Sequence, residues 1–126
     1  MPFSLRNLTK SKIPSLPFSM IAQKVLGENF DLSLVVCGNV LSAKLNLRRG
    51  KSSPTNVLAF SLGRESGEIF LNGDKIRRET RLFGKTLRNH WFDIYLHSLF
   101  HLAGYKHGRK MDQAVHKFTT HLTQGV

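Results

Sequence analysis

The sequence predicts an α+β domain, a small mixed sheet of three or four strands packed with about five helices. Three observations predict it. Short runs rich in Leu, Val and Phe alternate with segments of helical period, in the order strand, helix, strand, helix, strand, strand, then helices. At 126 residues the chain has the length of one domain, residues 1–126, large enough to bury about two-thirds of its unfolded surface. Cys37 is the only cysteine, so the core must hold without an intrachain disulfide, and a reducing compartment, the cytoplasm, is the expected location.

In chain order, Phe3 to Leu8 reads as a first strand. Pro17 to Leu26 reads as a helix, because Leu16, Phe18, Met20, Ile21, Val25 and Leu26 fall at roughly helical spacing between Ser15 and Gly27. The segment up to Gly27 is basic, bears serines and contains no acid, a composition shared with organelle transit peptides, but its apolar spacing favours a folded reading. Phe30 to Cys37 is a strand after a Gly-Glu-Asn turn, and Val40 to Leu47 a short helix with Asn39 as its cap. Beyond the loop Arg48 to Thr55, two strands, Asn56 to Ser61 and Glu68 to Leu71, are joined through Gly63 to Gly67. Asp74 is placed to cap a basic helix that breaks near Gly84. A long helix then runs from about Thr86 to Ala103, and a last one over Met111 to Leu122. No internal repeat or second-domain boundary is visible, and no stretch approaches the roughly 18 to 20 apolar residues of a membrane span.

The long helix carries the most informative pattern. It is apolar nearly all round (Trp91, Phe92, Ile94, Tyr95, Leu96, Leu99, Phe100, Leu102), which marks a buried rod. Its polar residues His90, Asp93, His97 and His101 follow one another at spacings of three and four, in a single narrow stripe. Each unsatisfied polar group buried on that stripe would cost roughly 1 to 3 kcal/mol, so the stripe must face a metal, a cleft or its own partners. His97 and His101 lie about one turn, or roughly 6 Å, apart on nearly the same face. Gly104 can take the left-handed conformation that stops the helix, letting the chain fold back and bring His107 to the same point. Three neutral nitrogens without a nearby Cys suit one zinc ion with a fourth position open to water. Asp93, one turn before His97, could accept the ring N–H that a metal leaves unused. His90, about 10 Å along the axis from His97, is too far to share the ion. A pair of histidines four apart on an apolar helix also marks two hydrogen-bonded core residues, and the spacing alone leaves both readings open.

Charge points to the partner. The formal net charge is +11, and acids are too few to neutralise it locally. Lys44, Arg48, Arg49 and Lys51 form one basic cluster; Lys75, Arg77, Arg78, Arg81, Lys85 and Arg88 a second; Lys106, Arg109 and Lys110 a third, beside the last histidine. Nucleic acid is the simplest polyanion to answer this, with a strong salt dependence. A membrane surface is the rival, but no helix couples the second cluster to a clean exposed apolar face. The loop around Arg49-Gly50-Lys51 suits phosphate, since the guanidinium fork can grip two oxygens at once.

His97-Ser98-Leu99-Phe100-His101-Leu102-Ala103-Gly104-Tyr105-Lys106-His107 resembles the His-Gly-x-Leu-His-Leu-x-Gly-Tyr-Asp-His signature of the YbeY family of rRNA-maturation endoribonucleases. Arg49-Gly50-Lys51 followed by Pro54-Thr55-Asn56-Val57-Leu58-Ala59-Phe60 resembles that family's Arg-Gly-Lys-x-x-Pro-Thr-Asp/Asn-Val-Leu-Ser-Phe block, and Gly67-Glu68-Ile69 its Gly-Asp-Ile strand. The resemblance implies a zincin-like domain with one Zn2+ on His97, His101 and His107. It implies single-strand-specific cleavage of RNA, maturation of the 16S rRNA 3′ end, ribosome quality control, and partners in the small ribosomal subunit and its proteins. By position, Arg49 implies a contact to the RNA phosphate, with Arg48 and Lys51 beside it. The chain departs from the signature at Ser98, Phe100, Glu68 and Lys106, where the family has Gly, Leu, Asp and Asp, and a trimmed C-terminal helix is expected. Lys106 puts a cation beside the third histidine in place of an acid.

The expected chemistry is metal-activated attack of water on a phosphodiester, with Arg49 and Lys51 stabilising charge on the phosphoryl oxygens. Zinc proteases place Glu directly after the first histidine, and Ser98 in that position argues against peptide hydrolysis. Glu65 and Glu68 are the candidate proton acceptors, and a ribose 2′-hydroxyl is the alternative nucleophile. Two rival functions fit the same residues. One is a zinc-containing, non-cleaving rRNA-binding assembly factor, and the other a metal hydrolase of another phosphorylated substrate.

Overall fold

The computed structural model describes the backbone of residues 1–124 and the side chains of residues 1–122. Its elements are β1 (Phe3–Asn7), α1 (Phe18–Leu26), β2 (Asp31–Cys37), α2 (Asn39–Leu47), β3 (Val57–Gly63), β4 (Ser66–Asn72), α3 (Gly73–Phe83), α4 (Leu87–Leu102) and α5 (Arg109–Gln124). The four strands form one mixed sheet in the order β1-β2-β4-β3. β1, β2 and β4 run parallel, and β3 closes the edge antiparallel to β4. The expected α+β architecture is therefore present, with four strands and five helices among the described residues.

Alternation along the strands decides what each face of the sheet meets. Leu32, Leu34 and Val36 of β2 stand in register with Gly67, Ile69 and Leu71 of β4, and all turn toward α4. There they join Ile21, Ile76, Trp91, Tyr95, Leu99 and Met111 in one buried cluster. Burying each large apolar side chain of this cluster contributes on the order of 1.5–3 kcal/mol, which is why the all-round apolar α4 becomes the central helix. Its buried hydroxyls are satisfied, since Tyr95 donates to the Phe18 carbonyl at 2.8 Å and Ser98 to the Tyr95 carbonyl at 2.6 Å. Val35, Cys37 and Leu58 point to the opposite face, where α2, with its buried Leu45, packs on β3 and β4.

Gly67 sets the depth of α4 against the sheet. A Cβ there would stand 2.9 Å from the Leu102 side chain and 3.2 Å from Phe30, so with any larger residue the Leu102 methyls must shift for the last turn of α4 to keep its place on β4. This contact fixes the end of the helix that carries the histidines.

Two helix starts differ from the sequence expectation. Asn39 lies inside α2 rather than capping it, Gly38 holds the cap position, and the Asn39 side chain accepts from the Asn72 amide at 2.8 Å. α3 is capped by Asn72, whose side-chain oxygen accepts from the Lys75 N–H at 3.2 Å, and Asp74 falls in the first turn. The reason is that β4 runs on to Asn72, which keeps the extended backbone a cap requires. The remaining signals act as expected: Thr86 caps α4 by accepting from Asn89 N–H at 3.1 Å, and Gly84 ends α3 in the left-handed region.

Candidate metal centre

The histidines lie on and just beyond the last two turns of α4. Each of the two helical ones is held through Nδ1 by a main-chain carbonyl. His97 Nδ1 is 2.7 Å from the Asp93 carbonyl, and His101 Nδ1 is 3.1 Å from the Tyr105 carbonyl. A carbonyl only accepts, so both Nδ1 atoms carry the proton, and a neutral ring then presents a bare Nε2 lone pair. Asp93 thus orients His97 by its backbone and not by its carboxylate, which pairs with Lys85 at 2.7 Å. That corrects the expected carboxylate role. The carbonyl one turn back is already within reach of an intrahelical ring, while Lys85, on the turn before α4, draws the charged group outward.

Gly104, at φ 104°, reverses the chain as a glycine stop should, and the turn carries His107 back over the helix end. The Nε2 atoms of His101 and His107 come to 3.1 Å, with ring centroids 4.4 Å apart at 76°. In a tetrahedral zinc site with Zn–N bonds of about 2.0–2.1 Å, neighbouring ligand nitrogens are roughly 3.3 Å apart, so this pair has the spacing of two ligands. It also has the spacing of a hydrogen bond in which His107 donates to His101. Among the described residues no group of three His, Cys, Asp or Glu side chains is drawn together as a ligand shell. The donor chemistry nonetheless fits zinc, because His97 and His101 hold the tautomer that a metal on Nε2 needs and His107 turns the same atom toward His101.

Electrostatics tie the third histidine and the basic loop to this pair. Burial lowers the His101 pKa below that of an ordinary imidazole. The charges of His107, His97 and Arg49 push it the same way, against the raising effect of the Tyr105 carbonyl. Arg49 therefore acts on the same ring as the other two histidines, although it comes from the end of α2 on the far side of the sheet. Arg48 and Lys51 flank it, exposed. Beyond His107, Gly104 to Lys110 line an open depression of about 350 Å³ whose rim holds Tyr105, Lys106, Arg109 and Lys110.

The loop that carries Arg49 is pinned by buried polar residues that sequence reasoning passed over. The Ser42 hydroxyl donates to the Thr55 carbonyl at 2.7 Å and accepts from the Thr55 N–H at 3.0 Å. Asn46 donates to the Ser53 carbonyl at 2.8 Å, and Asn72 to the Thr55 carbonyl at 3.2 Å. Lys75 reaches the Pro54 carbonyl at 3.1 Å. Ser42 and Asn46 stand four apart on α2, and that spacing was the signal that one face of this helix is polar toward the loop following it. Of the candidate proton acceptors, Glu68 lies on the sheet face opposite α4, in register with Phe60, and accepts from Ser33 at 3.3 Å. It therefore faces away from the histidines. Glu65 is exposed in the β3–β4 turn.

Comparison with known proteins places the chain in a family. The family model described as "Endoribonuclease YbeY" matches residues 6–122. The chain belongs to the YbeY family. A YbeY endoribonuclease of Petrotoga mobilis is 29% identical over 117 residues, covering 90% of this chain and 82% of the relative. The one from Chlorobium phaeobacteroides is 32% identical over 113 residues, covering 83% of this chain and 82% of its own. The solution structure of TM1509 from Thermotoga maritima matches with a TM-score of 0.64 at 22% identity, over 92% of this chain and 85% of that one, and so shares the fold.

Proposed function

We propose that this YbeY family member is a zinc-dependent, single-strand-specific endoribonuclease that matures the 3′ end of 16S rRNA and serves ribosome quality control in the cytoplasm. The family makes it a nuclease of the hydrolase class. The observation that carries the metal reading is the approach of the His101 and His107 Nε2 atoms to 3.1 Å.

In this reading His97, His101 and His107 hold one Zn2+, which supplies, when bound, a Lewis acid for a phosphoryl oxygen and for water. The chain's own residues do the rest. Asp93 and Tyr105 carbonyls keep the His97 and His101 rings in one tautomer, so no proton competes for Nε2. Arg49 grips the scissile phosphate and stabilises the charge that grows on its oxygens, with Lys51 and Arg48 holding neighbouring phosphates. Lys106, Arg109 and Lys110 extend the positive rim along the strand beyond His107. The partners are single-stranded rRNA and the small ribosomal subunit with its proteins.

A second reading is favoured by one observation. Lys106, exposed and next to His107 in the chain, adds a cation beside the third histidine, and the His101 and His107 rings can satisfy each other by a hydrogen bond. The chain would then bind rRNA as an assembly factor without cutting it.

Cleavage of single-stranded and duplex rRNA fragments, with metal content measured on each protein, separates the two. The enzyme reading expects one zinc and cleavage of the single strand. It expects loss of both in His101→Ala, and a rate about 10²- to 10³-fold lower with zinc retained in Arg49→Ala. Tight RNA binding without cleavage gives the second reading. Cleavage unchanged in both variants means a contaminating nuclease and overturns the proposal.

A further inference from the structure

Of the second basic cluster, Lys75 and Lys85 are engaged near the site described above, whereas Arg77, Arg78 and Arg81 are not. α3 packs its inner side against the first half of α4: Ile76 is buried in the core, and Glu79 meets the His90 Nε2 at 3.0 Å. Its outer side carries Arg77, Arg78 and Arg81, all exposed and, at spacings of one, three and four, clustered on one face. Neither acid of α3 neutralises them. Glu79 is taken by His90 and by the Asn56 amide at 3.1 Å. The Asp74 carboxylate is turned toward the Cys37–Gly38 corner, 3.0 Å from where a Gly38 Cβ would stand, and its charge raises the Cys37 pKa.

The face lies away from the histidines, on a helix tied to the loop that carries Arg49. His90, opposite α3, and His101 are eleven residues apart on α4, or about 16 Å along its axis, so the arginines cannot serve the same phosphate as Arg49. The loop between them bridges the gap, since Lys75 of α3 holds Pro54 and Glu79 holds Asn56. The loop that carries Arg49 is thus tied to α3 at Pro54 and Asn56, and the Arg49 charge bears on His101.

We propose that the outer face of α3, through Arg77, Arg78 and Arg81, docks the duplex RNA that flanks the single-stranded segment cut at the histidine site. This rests on the endoribonuclease reading and adds to it a second RNA contact. Duplex is favoured over single strand because the face is a convex helical ridge. A row of cations on a rigid helix reads the phosphates of a rigid duplex by shape, whereas single strands are held in grooves lined with stacking aromatics. Phe83, at the end of α3, is the one aromatic of that helix; it meets the His90 ring edge-on at 5.8 Å and is otherwise exposed, so α3 offers no row of stacking rings.

The test compares the wild-type protein with the combined variant Arg77→Ala, Arg78→Ala, Arg81→Ala, whose surface alanines favour the helix. Two probes are titrated by fluorescence anisotropy over a range of salt: a short single-stranded RNA, and a hairpin bearing the same strand as a tail. The variant is expected to bind the hairpin about tenfold or more weakly, and the slope of log Kd against log salt to fall by about 2 to 3. Binding and cleavage of the short strand should be unchanged. Equal affinity of both proteins for the hairpin, or an equal loss on both probes, overturns the proposal. So does a loss of binding to phosphatidylglycerol vesicles larger than the loss on the hairpin. If neither protein cuts the tail, the enzyme reading fails, while the hairpin comparison still decides the α3 surface.

Discussion

The Nε2 atoms of His101 and His107 stand 3.1 Å apart across the Gly104 reversal, joining a buried helix to an exposed turn. His101 is fixed by α4 and by the Tyr105 carbonyl, whereas His107 sits in the exposed turn and meets the rest of the site through the His101 ring. Two imidazoles so placed either share a proton or share a cation, and the choice has a thermodynamic signature.

Zinc should stabilise the folded chain. A ligand present at about a hundredfold over its Kd contributes about 2.7 kcal/mol, which raises the melting temperature by several degrees for a domain of this size. His107→Ala should abolish that rise while changing the metal-free melting temperature little, because the ring is exposed. Differential scanning calorimetry with and without zinc reads both. An undiminished rise in His107→Ala would remove this residue from the ligand set.

Asn46→Ala should slow RNA turnover without touching the histidines. The amide holds the Ser53 carbonyl at 2.8 Å and so helps set the loop from which Arg49 acts. Its loss costs about 1–3 kcal/mol in stability. The looser loop should lower kcat by about tenfold, since a misplacement of the order of 1 Å can cost that much or more. Steady-state kinetics beside urea denaturation separate the effects, and a variant that loses stability but keeps kcat would show that the loop needs no such pin.

How much of this was legible follows from what each residue depends on. The histidine pattern could be read because helical spacing and one glycine stop are local properties. The basic loop was visible as a cluster of charge, but its pinning by Ser42, Asn46 and Asn72 depends on which helix the sheet brings beside it. The rejection of Glu68 likewise needed strand register, because one residue of shift turns a side chain to the other face. Asp93 was rightly seen beside His97, yet the atom that meets the ring is the carbonyl. That choice was made by Lys85, eight residues away on another turn.

Gly67→Ala should be among the costlier single-methyl changes in the chain. The added Cβ would stand 2.9 Å from Leu102 and 3.2 Å from Phe30, both packed against the core. Overpacking of this kind costs about 1–3 kcal/mol, and it lifts the end of α4 that carries His101. Chemical denaturation should show the loss, and Leu102→Ala in the same chain should recover part of it. A variant as stable as the wild type would mean that Leu102 moves aside freely.

Alkaline pH should weaken the fold through Cys37. Burial, and secondarily the Asp74 carboxylate, push its thiol up from 9.0 to about 11. The folded chain therefore keeps a proton that the unfolded chain has lost. Its contribution is complete below pH 9.0 and disappears as pH rises toward about 11, with a slope of at most about 1.4 kcal/mol per pH unit. Tyr95, also raised by burial, adds its own loss at higher pH, so the difference between wild type and Cys37→Ala isolates the thiol. Denaturation at a series of pH values should give a shallower alkaline decline for Cys37→Ala, and iodoacetamide at pH 8 should label the native chain far more slowly than the unfolded one. Parallel declines in the two proteins would show that the thiol gains no protection from the fold.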